Sequence, residues 1–156
     1  MSIEAVRPFL AAFGREGDIM EFPVSSATVE LAAQALGVEG ARIAKTLSFT
    51  DGDGCLVVVA AGDTKIDNAK FKHTFGFKAS MLSRERCAEL TGHAVGGVCP
   101  FALPSTVRIF LDESLKRFAT VFPAAGSANS AIEVTCEQLE QYTGGIWVEV
   151  CKLRED

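Results

Sequence analysis

Hydrophobic positions along this chain repeat at two spacings, and the switches between them divide it into elements. Val29, Ala32, Ala33 and Leu36 recur at the three-and-four spacing of one helix face. Ser26 or Thr28 can cap that helix, and Gly37 ends it. From Ala41 to Phe49 the spacing falls to two, the period of a strand. Cys55 to Ala61 is apolar without interruption, which predicts a central strand buried on both faces. The intervening "TDGDG" predicts a hairpin turn.

The rest of the chain reads the same way. Val6 to Phe13 predicts a helix that stops at Gly14. It should begin near Arg7, because Pro8 suits a first turn better than a helix interior. "DIMEF" predicts a short strand, and Asp67 and Ser83 can cap helices that run to Phe75 and to Gly92. "VRIFL", "ATVFPA", "AIEVT" and "IWVEV" predict strands, and "CEQLEQYT" a helix. The interleaving is irregular. It predicts one α+β domain over residues 1–156, a central mixed sheet surrounded by helices, rather than a doubly wound fold.

One residue breaks the strand pattern. Ile43, Lys45, Leu47 and Phe49 point the same way, and three of them are large and apolar. Burying an unpaired ammonium there is very costly. Lys45 therefore either snorkels from an edge to water or borders a cleft, most simply one between the sheet and the preceding helix. A second unusual stretch is "VGGVCPFALP". Gly96 and Gly97 permit backbone conformations closed to other residues, and Pro100 holds Cys99 extended. Such a loop either aims backbone N–H groups at one point, as an oxyanion hole does, or is a plain tight turn.

Composition narrows the chemistry. With 156 residues, 48% of them hydrophobic, the chain can bury one ordinary core without metals or staples. No apolar run reaches the roughly 18 residues of a membrane span, and the N-terminus lacks the pattern of a secretory signal. The five cysteines are odd in number and show no CxxC spacing, so neither a disulfide framework nor a zinc site is supported. Free thiols in a reducing cytoplasm are expected. Asp51 and Asp53 match a calcium loop poorly, and neither a metal nor an organic cofactor is expected. The net charge of −5 argues against coating nucleic acid by bulk electrostatics. Lys65, Lys70, Lys72 and Lys78, with His73, nevertheless form a local basic run, either a solvated helix face or a phosphate-contacting surface. HExxH, GxSxG and GxxxxGK[ST] are absent from the sequence. Cys99 could act as a nucleophile only with a base or another means of lowering its pKa. His93 precedes it closely but is not identifiable as that base.

"IAKTL" around Lys45, the loop Gly96-x-x-x-Pro100 read as "GGVCP", and the helix "ELAAQALGV" before the lysine strand resemble the YbaK/prolyl-tRNA-synthetase-associated editing domain family. "VRIFLDESL" and "AAGSANSAIEV" match the family's later strands, so the similarity spans nearly the whole chain. The resemblance implies trans-editing: hydrolysis of the ester that joins a wrong amino acid to tRNA, typically alanyl- or cysteinyl-tRNA(Pro) or a tRNA bearing another small amino acid. A second sieve of this kind is needed because a synthetic site cannot strongly exclude a smaller or isosteric amino acid. The implied partner is the acceptor end of mischarged tRNA, with prolyl-tRNA synthetase a candidate second partner.

Carried over by the resemblance, Lys45 is the catalytic residue. Its ammonium would anchor the substrate near the ester and stabilise developing negative charge, while a ribose hydroxyl or the substrate itself assists. Thr46 would contact the terminal adenosine. Gly96, Gly97, Val98, Cys99 and Pro100 would form the substrate-holding loop. Val29 and Ala32 would line the amino-acid pocket, together with Gly126, Ser127 and Asn129. Lys65, Lys70, Lys72 and Lys78 would meet phosphates of the acceptor stem. Two other readings stay open: a non-catalytic module that binds aminoacyl-tRNA or a synthetase, and a cysteine-dependent hydrolase using Cys99.

Overall fold

The apolar run at 55–61 sits at the centre of the fold. In the computed structural model, which describes residues 2–94 and 96–154, it lies in strand β3 (Gly54–Ala61), where every residue from Cys55 onward is buried. Strand β2 (Ile43–Asp51) pairs antiparallel with it, Asp51 opposite Gly54 across the expected hairpin turn. On its other side β3 pairs in parallel with β5 (Arg108–Asp112), and β5 with β8 (Ile146–Val148). Strand β6 (Phe122–Pro123) runs parallel to β2 and completes a mixed five-stranded sheet in the order β6-β2-β3-β5-β8. Two antiparallel ribbons flank it: β1 (Met20–Glu21) with β7 (Ser130–Ala131), and β4 (Thr64–Ile66) with β9 (Cys151–Leu153).

Side-chain alternation gives the sheet two cores. Ala44, Val59, Ala61 and Leu111 pack against Val6 and Leu10 of α1 (Ser2–Ala11) and against Leu139 and Tyr142 of α5 (Cys136–Thr143). On the opposite face Phe49, Leu56, Val58 and Phe110 meet Phe71 and Phe75 of α3 (Asn68–Phe75). α2 (Val29–Leu36) and α4 (Arg84–Thr91) complete the helices. Thr28, not Ser26, caps α2 by accepting the Leu31 N–H at 3.1 Å. Asp67 and Ser83 cap α3 and α4 as expected. Thr135 caps α5 by accepting the Gln138 N–H, and its own N–H donates to Gln138 Oε1.

Several boundaries differ from those the sequence predicts. α1 begins at Ser2 rather than near Arg7, with Pro8 inside it. Pro8 cannot donate to the Glu4 carbonyl, but Glu4 is exposed, so water can serve that group. The strand expected at "ATVFPA" shrinks to Phe122–Pro123, because Pro123 has no N–H for the ladder. "DIMEF" contributes only Met20–Glu21, since Glu16–Asp18 winds into a 3-10 turn. "AIEVT" supplies Ala131 to β7 and, through Val134, an isolated bridge to Val121. Strands β4 and β9 are unforeseen. Each is three residues long, too short for alternation to register.

Gly62, which follows β3, fixes α2 beside the hairpin. A Cβ there would lie 2.1 Å from the Gly40 carbonyl oxygen and 2.8 Å from Val29 Cγ1. Gly62→Ala must push α2 and its lead-in away from the sheet. It should lower the unfolding free energy by about 1–3 kcal/mol, the usual range for overpacking, in urea titration. A loss well under that range would show that α2 gives way freely.

Candidate functional site

Strand β2 loses its neighbour early. β6 covers only Ile43 and Ala44. The chain next reaches that edge at Leu82, whose N–H meets the Ser48 carbonyl at 3.4 Å, and at Ser80, whose carbonyl accepts the Thr50 N–H at 2.8 Å. These bonds show that even-numbered residues of β2 turn their amides outward. By alternation Thr46 therefore presents its N–H and C=O to the uncovered stretch. A cavity of about 400 Å³ opens around this edge. Val29 and Ala32 of α2 form one wall with Ile43 and Phe122. Gly96, Val98 and Cys87 contribute to the other.

Lys45 enters this cavity half-buried, directly opposite the small Ala60. Its Nζ donates a hydrogen bond to the Thr64 carbonyl of β4. Among the described residues no carboxylate pairs with it directly. Burial holds its pKa below the ordinary lysine value. Arg154 pushes in the same direction, while Cys151, Asp63 and Glu30 oppose from a distance. The Thr46 Oγ1 is buried and has no hydrogen-bond partner among the described residues. The site thus offers an underpaired cation, a free strand edge and an unsatisfied hydroxyl.

The loop at 96–100 packs where the sequence places it, and its parts separate. Gly96 adopts φ +97°, and a Cβ there would come within 3.4 Å of the Ala27 Cβ. At Gly97 a Cβ would sit 3.0 Å from Ser127 Cα. The two glycines let the loop lie directly on the segment after Gly126, itself at φ +99°. Ser127 Oγ is 3.0 Å from Asn129 Oδ1 and 2.7 Å from Ser130 Oγ, and Asn129 Nδ2 donates to the Phe22 carbonyl at 2.9 Å. Ser127 and Asn129 therefore brace the wall from behind, while Ser130 and Ala131 line the cavity.

Cys99 and Pro100 are buried behind Gly96 and Val98. Cys99 is 0% exposed, and burial pushes its thiol up to about 12. Its Sγ lies 3.6 Å from His93 Nε2, so the pair that the sequence leaves unconnected does meet. His93 Nε2 is also 2.9 Å from the Phe101 carbonyl, which can only accept, so that nitrogen carries the proton. It cannot take one from Cys99. The remaining nitrogen, Nδ1, is buried without a partner among the described residues. The geometry suits a clamp on the Phe101 carbonyl better than a thiolate nucleophile.

The basic run is not one patch. Lys70 is tied to Glu149 at 3.0 Å. Lys72 and Lys78 border a separate cavity with Asn68. Lys65 projects from β4. Sequence reasoning misses several cavity residues: Ser26, Ala27 and Thr28 before α2, and Met81, Leu82 and Arg84 on the crossing segment. No local motif marks them as site residues, and the crossing segment arrives only because Ser80 and Leu82 bond the β2 edge. Arg84 adds a second cation. Among the described residues no group of three or more histidine, cysteine or carboxylate side chains could hold a metal, and no helix is long and apolar enough to cross a membrane.

Residues 24–142 match the family described as aminoacyl-tRNA editing domain. The chain is 54% identical over 154 residues to the uncharacterised protein YwhH of Bacillus subtilis, covering 97% of this chain and 98% of YwhH. It is 28% identical over 125 residues to EbsC of Enterococcus faecalis, covering 79% of this chain and 76% of EbsC. EbsC carries a provisional assignment as a Cys-tRNA(Pro)/Cys-tRNA(Cys) deacylase. A crystal structure provisionally assigned as a trans-editing enzyme for prolyl tRNA synthetase superposes with a TM-score of 0.87 at 28% identity, covering 96% of both chains.

Ala102, just past the loop, holds φ +56°. That conformation costs an L-residue about 1–2 kcal/mol. The extra unfolded-state freedom of glycine offsets roughly 0.4–1 kcal/mol of it. Ala102→Gly should therefore raise the unfolding free energy by roughly 0.5–1 kcal/mol, read from urea titration. A decrease would mean that the methyl group's packing outweighs the strain.

Lys45 makes a pH prediction. Below its lowered pKa both folded and unfolded chains hold the proton. Between that value and the ordinary 10.5, the unfolded chain binds more protons, so stability rises with pH in that window. The melting temperature of the wild type minus that of Lys45→Met should therefore increase as pH climbs toward 10.5. A difference that shrinks instead would mean a carboxylate holds the ammonium.

Proposed function

The chain belongs to the aminoacyl-tRNA editing domain family, and from that premise we propose that it is a free-standing deacylase that hydrolyses the ester of mischarged tRNA in trans. The substrates proposed are alanyl- or cysteinyl-tRNA(Pro), or a tRNA carrying another small amino acid. The observation that carries this reading is the underpaired Lys45 ammonium in a cavity of about 400 Å³, walled by apolar residues and a glycine-rich loop. That volume lies at the low end for small-molecule sites. It suits an aminoacyl ester rather than a longer acyl chain.

In the proposed reaction, water attacks the ester carbonyl carbon. A carbon–oxygen bond forms to the water, the bond to the ribose oxygen breaks, and the water's proton passes to that oxygen through the neighbouring ribose hydroxyl. Lys45 anchors the reacting end and stabilises the negative charge that develops. The loop at 96–98 orients the aminoacyl group, and the Thr46 edge and hydroxyl meet the terminal nucleoside. Val29 and Ala32 bound the amino-acid side chain. Cys99 takes no chemical part, because a thiol pushed to about 12 supplies almost no thiolate near neutrality.

A panel of tRNA(Pro) charged with alanine, cysteine, serine or proline tests the proposal. The mischarged species should lose their amino acid and prolyl-tRNA(Pro) should not. Lys45→Ala should lower the rate by about 100-fold or more, the usual loss when a charge-stabilising donor is removed. Cys99→Ser should stay within about threefold when corrected for folded fraction. Tight binding without hydrolysis of any species would favour a binding module. Activity that survives Lys45→Ala and vanishes in Cys99→Ser would overturn the mechanism.

A further inference from the structure

The ribbon β4–β9 carries an arrangement that folding alone does not favour. Lys65 stands directly opposite Lys152 across the two strands, and both are exposed. Like charges placed opposite each other in an antiparallel pair are destabilising. Arg154 follows on the same strand side as Lys152, its N–H bonded to the Asp63 carbonyl at 2.9 Å. Three cations therefore crowd one short ribbon of a chain whose net charge is −5.

Among the described residues, nearby carboxylates are engaged elsewhere. Asp63 is held by Arg117 through contacts of 2.6 and 3.0 Å. Glu149 is taken by Lys70 at 3.0 Å, and Glu113 by Lys116 at 3.2 Å. Asp67 lies close enough to feel Lys152, but its Oδ1 already accepts the Ala69 and Lys70 N–H groups. Among the described residues Lys65, Lys152 and Arg154 form no ion pair of their own. Thr64, in the same ribbon, supplies the carbonyl that holds Lys45 Nζ. Lys152 itself borders a neighbouring cavity with Thr64, and the ribbon's link to the candidate site is this Lys45–Thr64 hydrogen bond.

We propose that the β4–β9 ribbon, through Lys65, Lys152 and Arg154, is the surface that receives the RNA backbone leading into the Lys45 cavity. The inference rests on the deacylase reading for the identity of the RNA, though not for the surface itself. It replaces the basic run as the phosphate-contacting element: Lys65 stays, Lys70 is occupied by Glu149, and Lys72 and Lys78 face a different cavity. Phosphates would relieve the Lys65–Lys152 repulsion, so the ribbon is held ready for an anion of extended shape.

Binding of uncharged tRNA(Pro), measured by fluorescence anisotropy between about 50 and 200 mM salt, tests this. The wild type should bind with an affinity that falls as salt rises. Lys65→Gln with Lys152→Gln should weaken binding about tenfold or more at low salt and flatten the salt slope by about 1 per lysine. Its melting temperature should equal or exceed that of the wild type, because a repulsion has been removed. Lys72→Gln with Lys78→Gln should bind within about twofold of wild type, as side chains outside the phosphate contacts do. Should the double ribbon variant fail to fold, Arg154→Gln and each single lysine variant give the same slope test. Unchanged affinity and slope in the ribbon variants, or a loss confined to Lys72 and Lys78, would overturn the inference; so would salt-independent or undetectable binding by the wild type. The charged-tRNA panel reads the deacylase proposal separately: a wild type that hydrolyses nothing, while the ribbon variants lose RNA affinity, removes that proposal and leaves this surface standing.

Discussion

A desolvated ammonium on the apolar face of β2, held by one backbone carbonyl, is the constraint around which the site is arranged. A carboxylate beside Lys45 would stabilise it at the cost of the positive potential a substrate would feel. Instead the Thr64 carbonyl takes the proton donor, and the nearest carboxylates act only from a distance. That choice binds the C-terminal end of the chain to the site. Thr64 is where it is because β4 pairs with β9, so residues 151–153 help fix the acceptor of a lysine more than a hundred positions earlier. Ala60, across from Lys45, leaves the stem room to cross the sheet. Ile43 and Phe49 on either side are buried and keep the strand in the core.

The second constraint is a gap in hydrogen bonding. An open sheet edge invites unwanted strand pairing. Here the gap runs only from the end of β6 to the crossing at Leu82, and its two sides are walled by α2 and by the loop at 96–98. It is too short to accept a strand and long enough to leave the Thr46 N–H and C=O outside the ladder. Both walls depend on glycine: Gly62 lets α2 approach the hairpin, and Gly97 lets the loop rest on Ser127. Function and packing are therefore set by the same close approaches, and a methyl group at either position would reshape the cavity.

Much of this is legible in the sequence, for physical reasons that also set its limits. The buried run of β3, the hairpin, and the caps at Asp67 and Ser83 follow from local patterning, since hydrophobic period and capping chemistry act within a few residues. Lys45 is legible as a break in that patterning, and the Gly96-to-Pro100 loop as a concentration of backbone-permissive residues. What stays hidden is long-range. Met81 and Arg84 join the cavity because Ser80 and Leu82 hydrogen-bond the β2 edge. Their own stretch carries no periodic signal. Cys99 and His93 sit six positions apart in the sequence, yet only the fold shows that the Phe101 carbonyl claims the imidazole proton and leaves the thiol inert. Pro8 misleads because the residue one turn before it, Glu4, is exposed, which makes the missing donor cheap.

Net charge is the weakest guide of all, and the salt bridges explain why. Exposed ion pairs contribute little to stability, on the order of 0–1 kcal/mol each. The pairs Asp63–Arg117, Glu149–Lys70 and Glu113–Lys116 are thus poorly accounted for as supports of the fold. They have a different electrical consequence. Each removes a carboxylate from the neighbourhood of β4 and β9, where the field would otherwise follow the acidic composition. The local potential is set by which charges are left over after pairing, not by their sum. At distances beyond a Debye length, about 8–10 Å in physiological salt, the remaining acidic surface is screened from this edge. An acidic chain can therefore carry a local cationic surface, and the ribbon that fixes the Lys45 acceptor is one.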